Sequence, residues 1–118
     1  MNKYRNKKTE YKGILFDSTA EKNRYRELEL LERAGEIAGL RLQPKFVLIP
    51  KFTAKSGKSR RASTFTADFA YDEWRDGKWA AVIEDVKSSA TVKNQGYVLR
   101  RNLFEFQNPD IEFKEVIM

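Results

Sequence analysis

Cysteine and histidine are both absent from this sequence of 118 residues. Disulfide bonds, thiol nucleophiles, the usual kinds of zinc site and any serine–histidine mechanism are therefore excluded. If the protein is an enzyme, its chemistry must come from carboxylates, lysines and tyrosines. The metal cofactors that suit such residues are hard, oxygen-binding cations, so Mg²⁺ or Mn²⁺ is the natural choice.

Long hydrophobic runs are also absent. No apolar stretch approaches the ~20 residues of a membrane-spanning helix, and none follows the basic N-terminus as it would in a signal peptide. We therefore expect a cytoplasmic protein with no membrane partner. Hydrophobic residues make up 41% of the chain, which is typical of a globular protein. The length suits a single domain over residues 1–118.

The net charge of +6 is concentrated in two segments. Residues 1–12 hold five cations and one acid, and residues 51–61 hold five cations and no acid, which leaves a net charge of −3 for the rest of the chain. Positive segments beside an acidic remainder indicate a rim that binds a polyanion around an acidic centre. A solvated N-terminal tail and a solvated loop would explain these charges equally well.

Turn and capping signals predict one α/β (α+β) domain with the element order α-β-β-β-α-β and a small mixed sheet. A basic arm over residues 1–12 precedes a helix with Ser18 as N-cap, Glu21 as its capping-box partner and Gly35 at its end. Asp76-Gly77 between apolar runs is a strong signal for a β-hairpin. The remaining predicted segments are strands over 41–50, 62–74, 79–87 and 111–117, a loop over 51–61 and a helix over 91–106.

An acid separated by one residue from a lysine occurs four times in the chain and is weak evidence by itself. The hairpin register distinguishes the copy at Asp85 and Lys87. If Asp76-Gly77 is a two-residue turn, Asp68 lies opposite Asp85, with their Cβ atoms ~4.5–5.5 Å apart. Lys87 shares the face of Asp85, because side chains alternate along a strand. A bulge at the turn would shift this register by one residue.

Two aspartates that face each other repel, and a divalent cation between them converts the repulsion into a binding site. A salt bridge from Lys87 is the alternative explanation, but it suits Asp68 less well, because this aspartate lies in the apolar run 65–71. Carboxylates that hold a divalent cation, with a lysine nearby, are the groups that phosphodiester hydrolysis requires. The pattern therefore favours a metal site built from Asp68 and Asp85, with Lys87 as a catalytic residue.

Several stretches carry a resemblance to a known group of enzymes. They are KYRNKKTEYKGILFDSTAEKNRY, LQPKF, TFTADFAY, IEDVKS and YVLRRNLFEFQNPDIEF, which together cover nearly the whole chain. In them the sequence resembles the PD-(D/E)XK nuclease superfamily, and in particular an uncharacterised family of short phage and prophage proteins assigned to it. One departure is Ala67, which stands where the motif has a proline. The resemblance implies a restriction-endonuclease-like core, a four-stranded mixed sheet flanked by helices.

The resemblance also implies roles for individual residues. Asp68 takes the first acidic position, Asp85 the second and Lys87 the lysine. Glu21 matches an acid on the first helix that often completes the metal site, although the capping-box role is an equal alternative for it. The backbone carbonyl of Val86 is a common additional metal ligand in such sites.

Cations and one tyrosine outside the metal site are candidates for contacts to DNA. On the second predicted helix Lys93, Tyr97 and Arg100 have the spacing of one helical face, although a solvated face fits equally well. The basic arm and loop would bind the DNA backbone, since phosphate contacts position a protein without reading sequence. The predicted DNA-binding residues are Lys3, Arg5, Lys7, Lys8, Arg60, Arg61, Lys93, Tyr97 and Arg100.

The expected function is that of a Mg²⁺-dependent endodeoxyribonuclease, encoded by a phage or prophage and active in the bacterial host cytoplasm. Its small size and basic arm are similar to those of Holliday-junction resolvases, which cut branched DNA as homodimers; this substrate is inferred by analogy of fold alone. Two alternatives are a non-catalytic DNA-binding protein that kept the nuclease fold and a repair or restriction-type nuclease acting on linear duplex. The intact acid pair and Lys87 argue against the first, since a degenerate site should lose them first.

Overall fold

The computed structural model of the protein describes residues 8–117, within which the chain forms two α-helices and ten mostly short β-strands. The helices are α1 (Thr19–Arg33) and α2 (Gln95–Gln107), and a 3-10 turn, Thr91–Lys93, precedes α2. The strands are β1 (Thr9–Tyr11), β2 (Ile14–Phe16), β3 (Ile37–Leu42), β4 (Lys45–Ile49), β5 (Phe52–Thr53), β6 (Ser59–Arg60), β7 (Ser63–Thr66), β8 (Phe69–Arg75), β9 (Lys78–Lys87) and β10 (Glu112–Ile117). The protein therefore has a mixed α+β fold, as the sequence predicts.

Both helices begin where a polar side chain caps the first turn. The Ser18 hydroxyl accepts a hydrogen bond from the Glu21 amide (3.1 Å), and the Asn94 side chain accepts one from the Tyr97 amide (3.0 Å). Beyond the end of α1, Gly35 has a φ of 81°, a left-handed conformation that glycine adopts without strain. Neither helix within residues 8–117 is long and apolar enough to cross a membrane.

A four-stranded mixed sheet with the strand order β10-β9-β8-β3 forms the centre of the protein. Strand β10 runs parallel to β9, whereas β8 is antiparallel to both β9 and β3. Asp76 and Gly77 join β8 to β9 with positive φ angles, as a type I′ turn requires, and Arg75 pairs with Lys78. The predicted hairpin and its register are thus confirmed.

Two predicted strands are each divided in the structure. The predicted strand 62–74 separates into β7 and β8, which belong to different sheets, because residues 67–68 leave the ladder. The predicted strand 41–50 separates into β3 and β4, which explains why proline is tolerated at position 44, since proline has no amide hydrogen for a ladder. Strand β4 pairs with β7 in a sheet of its own. The predicted order α-β-β-β-α-β is therefore wrong in its number of strands.

Three further segments differ from the prediction. Residues 9–16 form the hairpin β1-β2, so that the predicted basic arm is partly a strand, and its residues 1–7 lie outside the described part of the chain. The predicted loop 51–61 contains the paired strands β5 and β6. The predicted helix 91–106 is interrupted at Asn94, which ends the 3-10 turn and caps α2.

Hydrophobic side chains pack on both faces of the central sheet. On one face α1 buries Leu28 against Tyr71 and Val82. On the other face α2 buries Phe104 against a cluster that includes Ile83. Because side chains alternate along β9, its glutamate at position 84 faces α1 and its aspartate at position 85 faces α2.

A buried glutamate fixes α1 to the central sheet. Glu84 is fully buried and receives two hydrogen bonds from the Arg24 guanidinium, each of 2.7 Å, and one from the Tyr71 hydroxyl. Such a bidentate pair compensates the cost of burying the carboxylate and fixes the orientation of both partners. The network therefore sets the position of α1, whose first turn carries a predicted site residue.

Candidate functional site

The candidate site lies where β7 and β8 separate. The Ala67 amide donates to the carbonyl of Pro44 (3.0 Å), while the Asp68 amide donates to the carbonyl of Glu84 (3.0 Å). The Asp68 carbonyl in turn accepts a hydrogen bond from the Gln43 amide (2.9 Å). These bonds satisfy both amides of the segment and the Asp68 carbonyl, and they fix Asp68 at the end of the central sheet.

The structure places Asp68 beside Asp85, as the hairpin register predicts. The last ladder pair joins Phe69 to Glu84, and Asp68 lies just beyond it, with its carboxylate close enough to that of Asp85 to raise the pKa of Asp85. One carboxylate oxygen of Asp68 accepts a hydrogen bond from the Val86 amide (2.7 Å), which fixes the orientation of this side chain. Asp68 differs from the prediction only in lying just outside β8.

Asp85 is a buried carboxylate that is poorly compensated. Its side chain is 1% exposed, and neither of its oxygens has a hydrogen-bond partner among the described residues. An ionised Asp68 cannot supply one, because a carboxylate without a proton accepts hydrogen bonds but does not donate them. Burial, reinforced by the negative charge of Asp68, raises the pKa of Asp85 to about 7. The site therefore disfavours negative charge until a cation offsets it.

Lys87 supplies part of that positive charge. Its ammonium lies 3.0 Å from Oδ2 of Asp85 and 5.1 Å from the ring centroid of Tyr97. The contact with Asp85 is close enough for an ion pair, but its geometry is not that of a hydrogen bond. The ammonium is held at the edge of the site by the carboxylate and the aromatic face together.

Glu21 approaches the same place from the first turn of α1. Its side chain is buried, and burial followed by contact with the Asp68 carboxylate raises its pKa to about 8. The described contacts include no hydrogen bond from the Ser18 amide to the Glu21 carboxylate, so only the Ser18 half of the predicted capping box forms. The structure therefore brings Glu21 to the acidic pair rather than to the helix cap.

An open cleft of about 440 Å³ gives solvent access to these groups. It is lined by Asp17, Ser18, Glu21, Asp68, Val86, Lys87, Ser88 and Thr91. Asp85 lies beneath this surface rather than in it. A second cleft of about 500 Å³ shares Lys87 and Thr91 with the first and extends towards Asn94 and Arg100. The two together form a groove, and Lys87 stands where they meet.

The donor set fits a hard divalent cation. Asp68 contacts the carboxylates of both Glu21 and Asp85. Because the amide and carbonyl of one strand residue point to the same neighbour, the Val86 carbonyl faces the Asp68 side as its amide does. Within residues 8–117 no three acidic side chains are grouped closely enough to form a metal-binding cluster. The three carboxylates instead lie in a row, with Asp68 in the middle. Oxygen atoms are the ligands that Mg²⁺ and Mn²⁺ prefer, and either cation would offset the negative charge of the Asp85 carboxylate.

The predicted DNA-binding residues have different positions. Lys3, Arg5 and Lys7 lie outside the described residues. Lys8 is exposed and lies 4.0 Å from Asp17, a residue that lines the cleft. Arg60 and Arg61 are exposed on and beside β6, and neither lines either of the two clefts.

The predicted face of Lys93, Tyr97 and Arg100 is partly wrong. Lys93 and Arg100 are exposed, but Lys93 belongs to the 3-10 turn and not to α2. Tyr97 is buried, and its hydroxyl donates a hydrogen bond of 2.6 Å to Glu115. A tyrosine with a satisfied hydroxyl beneath the surface packs and positions Lys87, and is not part of an exposed helix face.

Sequence reasoning missed several residues that line the cleft. Asp17 stands beside the Ser18 cap, and Ser88 and Thr91 face each other with their hydroxyl oxygens 2.8 Å apart. A detectable signal existed for Asp17, because an acid directly before a helix cap lies near the first turn. No sequence signal distinguishes Ser88 and Thr91 from ordinary loop residues.

Comparison with known proteins identifies a family but no characterised relative. Neither the curated proteins nor the solved structures contain a significant match to the chain. One family does match, and it covers residues 1–118, the whole of the sequence. The chain therefore belongs to the family described as "Protein of unknown function (DUF1064)".

Proposed function

We propose that the protein is a metal-dependent endodeoxyribonuclease that hydrolyses DNA phosphodiester bonds. Its active site in this proposal consists of Glu21, Asp68, Asp85 and Lys87. The observation that carries this proposal is the juxtaposition of a buried, poorly compensated Asp85 with Asp68 and Lys87 beside an open cleft. An ordinary buried aspartate would have hydrogen-bond donors for both oxygens, whereas Asp85 has only its ion pair with Lys87, and a buried carboxylate without such donors is costly. Its retention is explained if a cation and a phosphate complete the site.

The residues present would hold Mg²⁺ or Mn²⁺ through Asp68, Asp85, Glu21 and the Val86 carbonyl. When bound, such a cation supplies Lewis acidity towards the phosphoryl group and lowers the pKa of the attacking water. Asp68 is fixed for this role by the Val86 amide. Glu21 lies at the far side of Asp68 and would accept a proton or complete the ligand set.

In this proposal Lys87 acts on the reacting phosphate. Its ammonium is held by Asp85 and Tyr97 at the junction of the two clefts. From there it would orient the nucleophilic water and stabilise the negative charge that develops on the phosphoryl oxygens. Arg100, which lines the second cleft, would bind an adjacent phosphate.

The proposal includes a restriction-endonuclease-like arrangement of the central sheet and a substrate of branched DNA. Support for the first is the mixed sheet β10-β9-β8-β3 with a helix on each face. Support for the second is the small size of the chain and its basic N-terminal segment. In this proposal the protein acts as a homodimer in phage recombination or replication, in the cytoplasm of the bacterial host.

The test is a cleavage assay on three substrates: linear duplex, single strands and a four-way junction. Each is incubated with the purified protein in Mg²⁺, in Mn²⁺ and in EDTA, beside Asp85→Asn. We expect cutting with either metal, none in EDTA, and none by the variant. Failure of the wild-type protein to cut any substrate would leave the protein as a non-catalytic DNA-binding protein at most.

The choice of substrate follows from the same assay. Paired, symmetric nicks confined to the junction would support the resolvase proposal and a dimer. Equal cutting of linear duplex would replace it with a repair or restriction-type activity. As a matched control, Asp110→Asn removes an exposed carboxylate outside the site and should leave cutting unchanged.

A further inference from the structure

Residues 45–66 form two short antiparallel strand pairs, β4-β7 and β5-β6, which follow each other along the chain and which we together call the β-arm. Strands β4 and β7 pair at its base, and their register shifts once, between Val47 and Ile49. Beyond that shift Ile49 pairs with Ser63 and Phe52 pairs with Arg60, so the two strand pairs share one register, although residues 50–51 and 61–62 between them are not in strands. The basic segment 51–61 is therefore the distal half of the β-arm and contains a short hairpin.

The β-arm is anchored at one end and exposed at the other. Leu48 and Phe65 are buried against α2, and the Gln107 side-chain amide donates to the carbonyl of Leu48 (2.9 Å). At the tip the Ala54 amide donates to the carbonyl of Lys58 (2.8 Å), which closes the turn. From residue 49 to residue 63 all side chains except that of Ala54 are exposed. The distal half is thus an ordered projection without packing partners among the described residues.

All charged side chains of the β-arm are positive. The chain contains no acidic residue between Glu36 and Asp68. The distal half carries Lys51, Lys55, Lys58, Arg60 and Arg61, and among the described residues none of these five forms a salt bridge. Five like charges on a narrow projection repel one another, and a polyanion relieves that repulsion.

The cations are distributed over both faces of the ribbon. Phe52 and Arg60 are paired and therefore share one face, while Thr53 and Ser59 share the other. Arg61 comes directly after the end of β6, and if the alternation continues there, it lies on the face opposite to Arg60. A ribbon that lies flat on a single phosphate backbone needs cations on one face only. Cations on both faces suit a ribbon that has a phosphate backbone on each side.

We propose that the β-arm inserts into the major groove of duplex DNA. The major groove is ~12 Å wide and admits a two-stranded ribbon, whereas the minor groove, at ~6 Å, does not. Residues 49–53 in extended conformation span roughly 16 Å, enough to cross the groove floor. Duplex RNA is excluded as an equal ligand because its major groove is too narrow for such an element. The inference rests on DNA as the substrate of the proposed function and narrows it to double-stranded segments, including the arms of a junction.

Binding in EDTA tests the β-arm separately from cleavage. The arm variant is Lys58→Gln/Arg60→Gln/Arg61→Gln, and the matched control, Arg26→Gln/Arg33→Gln/Lys78→Gln, removes three exposed cations outside the β-arm. Affinities for duplex DNA, duplex RNA and single-stranded DNA are measured between 50 and 200 mM salt. We expect the arm variant to bind duplex DNA at least tenfold more weakly, with a salt slope smaller by about 2 to 3, since each lost phosphate contact removes about 0.9. The control should change less than threefold.

Three results would overturn the inference: equal losses in the two triple variants, duplex RNA bound as tightly as duplex DNA, or single strands affected as strongly as duplex. Methylation of guanine N7, which faces the major groove, should weaken binding by the wild-type protein, and no effect would also contradict the insertion. Cleavage that fails while arm-dependent binding persists would instead refute the proposed nuclease function alone. Circular dichroism of both variants verifies that they are folded.

Discussion

Replacement of Asp85 by asparagine should stabilise the protein when divalent cations are absent, and the gain should grow with pH. Burial and the Asp68 carboxylate raise the pKa of Asp85 from 3.8 to about 7. Each pH unit of that difference corresponds to ~1.4 kcal/mol, so the ionised carboxylate costs the folded state on the order of 4 kcal/mol. This cost already includes the attraction of Lys87, whose 3.0 Å ion pair with Asp85 lowers the pKa. The expected gain in the free energy of unfolding at pH 7 and above is therefore on the order of 4 kcal/mol.

The gain in stability grows with pH because the pKa of Asp85 is higher in the folded state than in the unfolded state. A carboxyl group whose folded-state pKa lies above its unfolded value stabilises the fold at low pH. That stability is lost as the pH rises from the unfolded pKa to the folded one. The variant should match the wild-type protein near pH 4 and exceed it increasingly up to about pH 7. The pKa of Glu21, raised to about 8, affects both proteins and largely cancels in the comparison.

Urea unfolding in EDTA at pH 4.5, 6 and 8, followed by tryptophan fluorescence, measures the difference. Addition of Mg²⁺ at pH 8 should stabilise the wild-type protein and leave Asp85→Asn nearly unchanged, because a ligand stabilises only the state that binds it. Asp110→Asn is the control for loss of an exposed carboxylate. If Asp85→Asn is less stable than the wild-type protein at pH 8 in EDTA, the reasoning is refuted, and Asp85 is a stabilising partner of Lys87.

Three other substitutions test the contacts between the helices and the sheet and the turn of the β8-β9 hairpin. Arg24→Met leaves the carboxylate of Glu84 buried without its bidentate partner and should lower the free energy of unfolding by about 3 to 5 kcal/mol in urea titrations. Tyr97→Phe removes the hydrogen bond to Glu115 but keeps the ring under Lys87, so we expect a loss of about 1 kcal/mol by calorimetry and near-normal cleavage. Gly77→Ala forces a side chain into a φ of 81° at the hairpin turn and should cost roughly 1 kcal/mol in thermal unfolding.

The hairpin shows how much of the site the sequence could predict. Asp76-Gly77 is a turn signal with one dominant geometry, and strand alternation then determines every facing pair as far as Phe69 and Glu84, which brings Asp68 to the neighbourhood of Asp85. Local chemistry was sufficient here because each step depends on neighbours in the chain. The burial of Asp85 and its lack of hydrogen-bond donors were not predictable, since they depend on how α2 covers that face of the sheet.

The divided strands show where prediction from sequence failed. Residues 62–74 alternate as one strand would, and nothing local at Ala67 marks the change of sheet. That break is caused by the hydrogen bonds from the amides of Ala67 and Asp68 to two different partners, which are distant in sequence. The prediction that Tyr97 lies on an exposed helix face was wrong for a related reason. Helical spacing identifies residues that share a face but does not show which neighbours cover that face.

The most direct test of the proposed site is the single-turnover rate of duplex or junction cleavage in Mg²⁺ for Lys87→Ala beside Lys78→Ala. Both lysines belong to β9, but Lys87 lies at the cleft and Lys78 at the opposite, exposed end. Loss of a general acid–base or charge-stabilising group lowers rates by ~10²–10⁴-fold. We expect a loss of that size for Lys87→Ala and wild-type rates for Lys78→Ala. Equal cleavage by the two variants would contradict the proposed site.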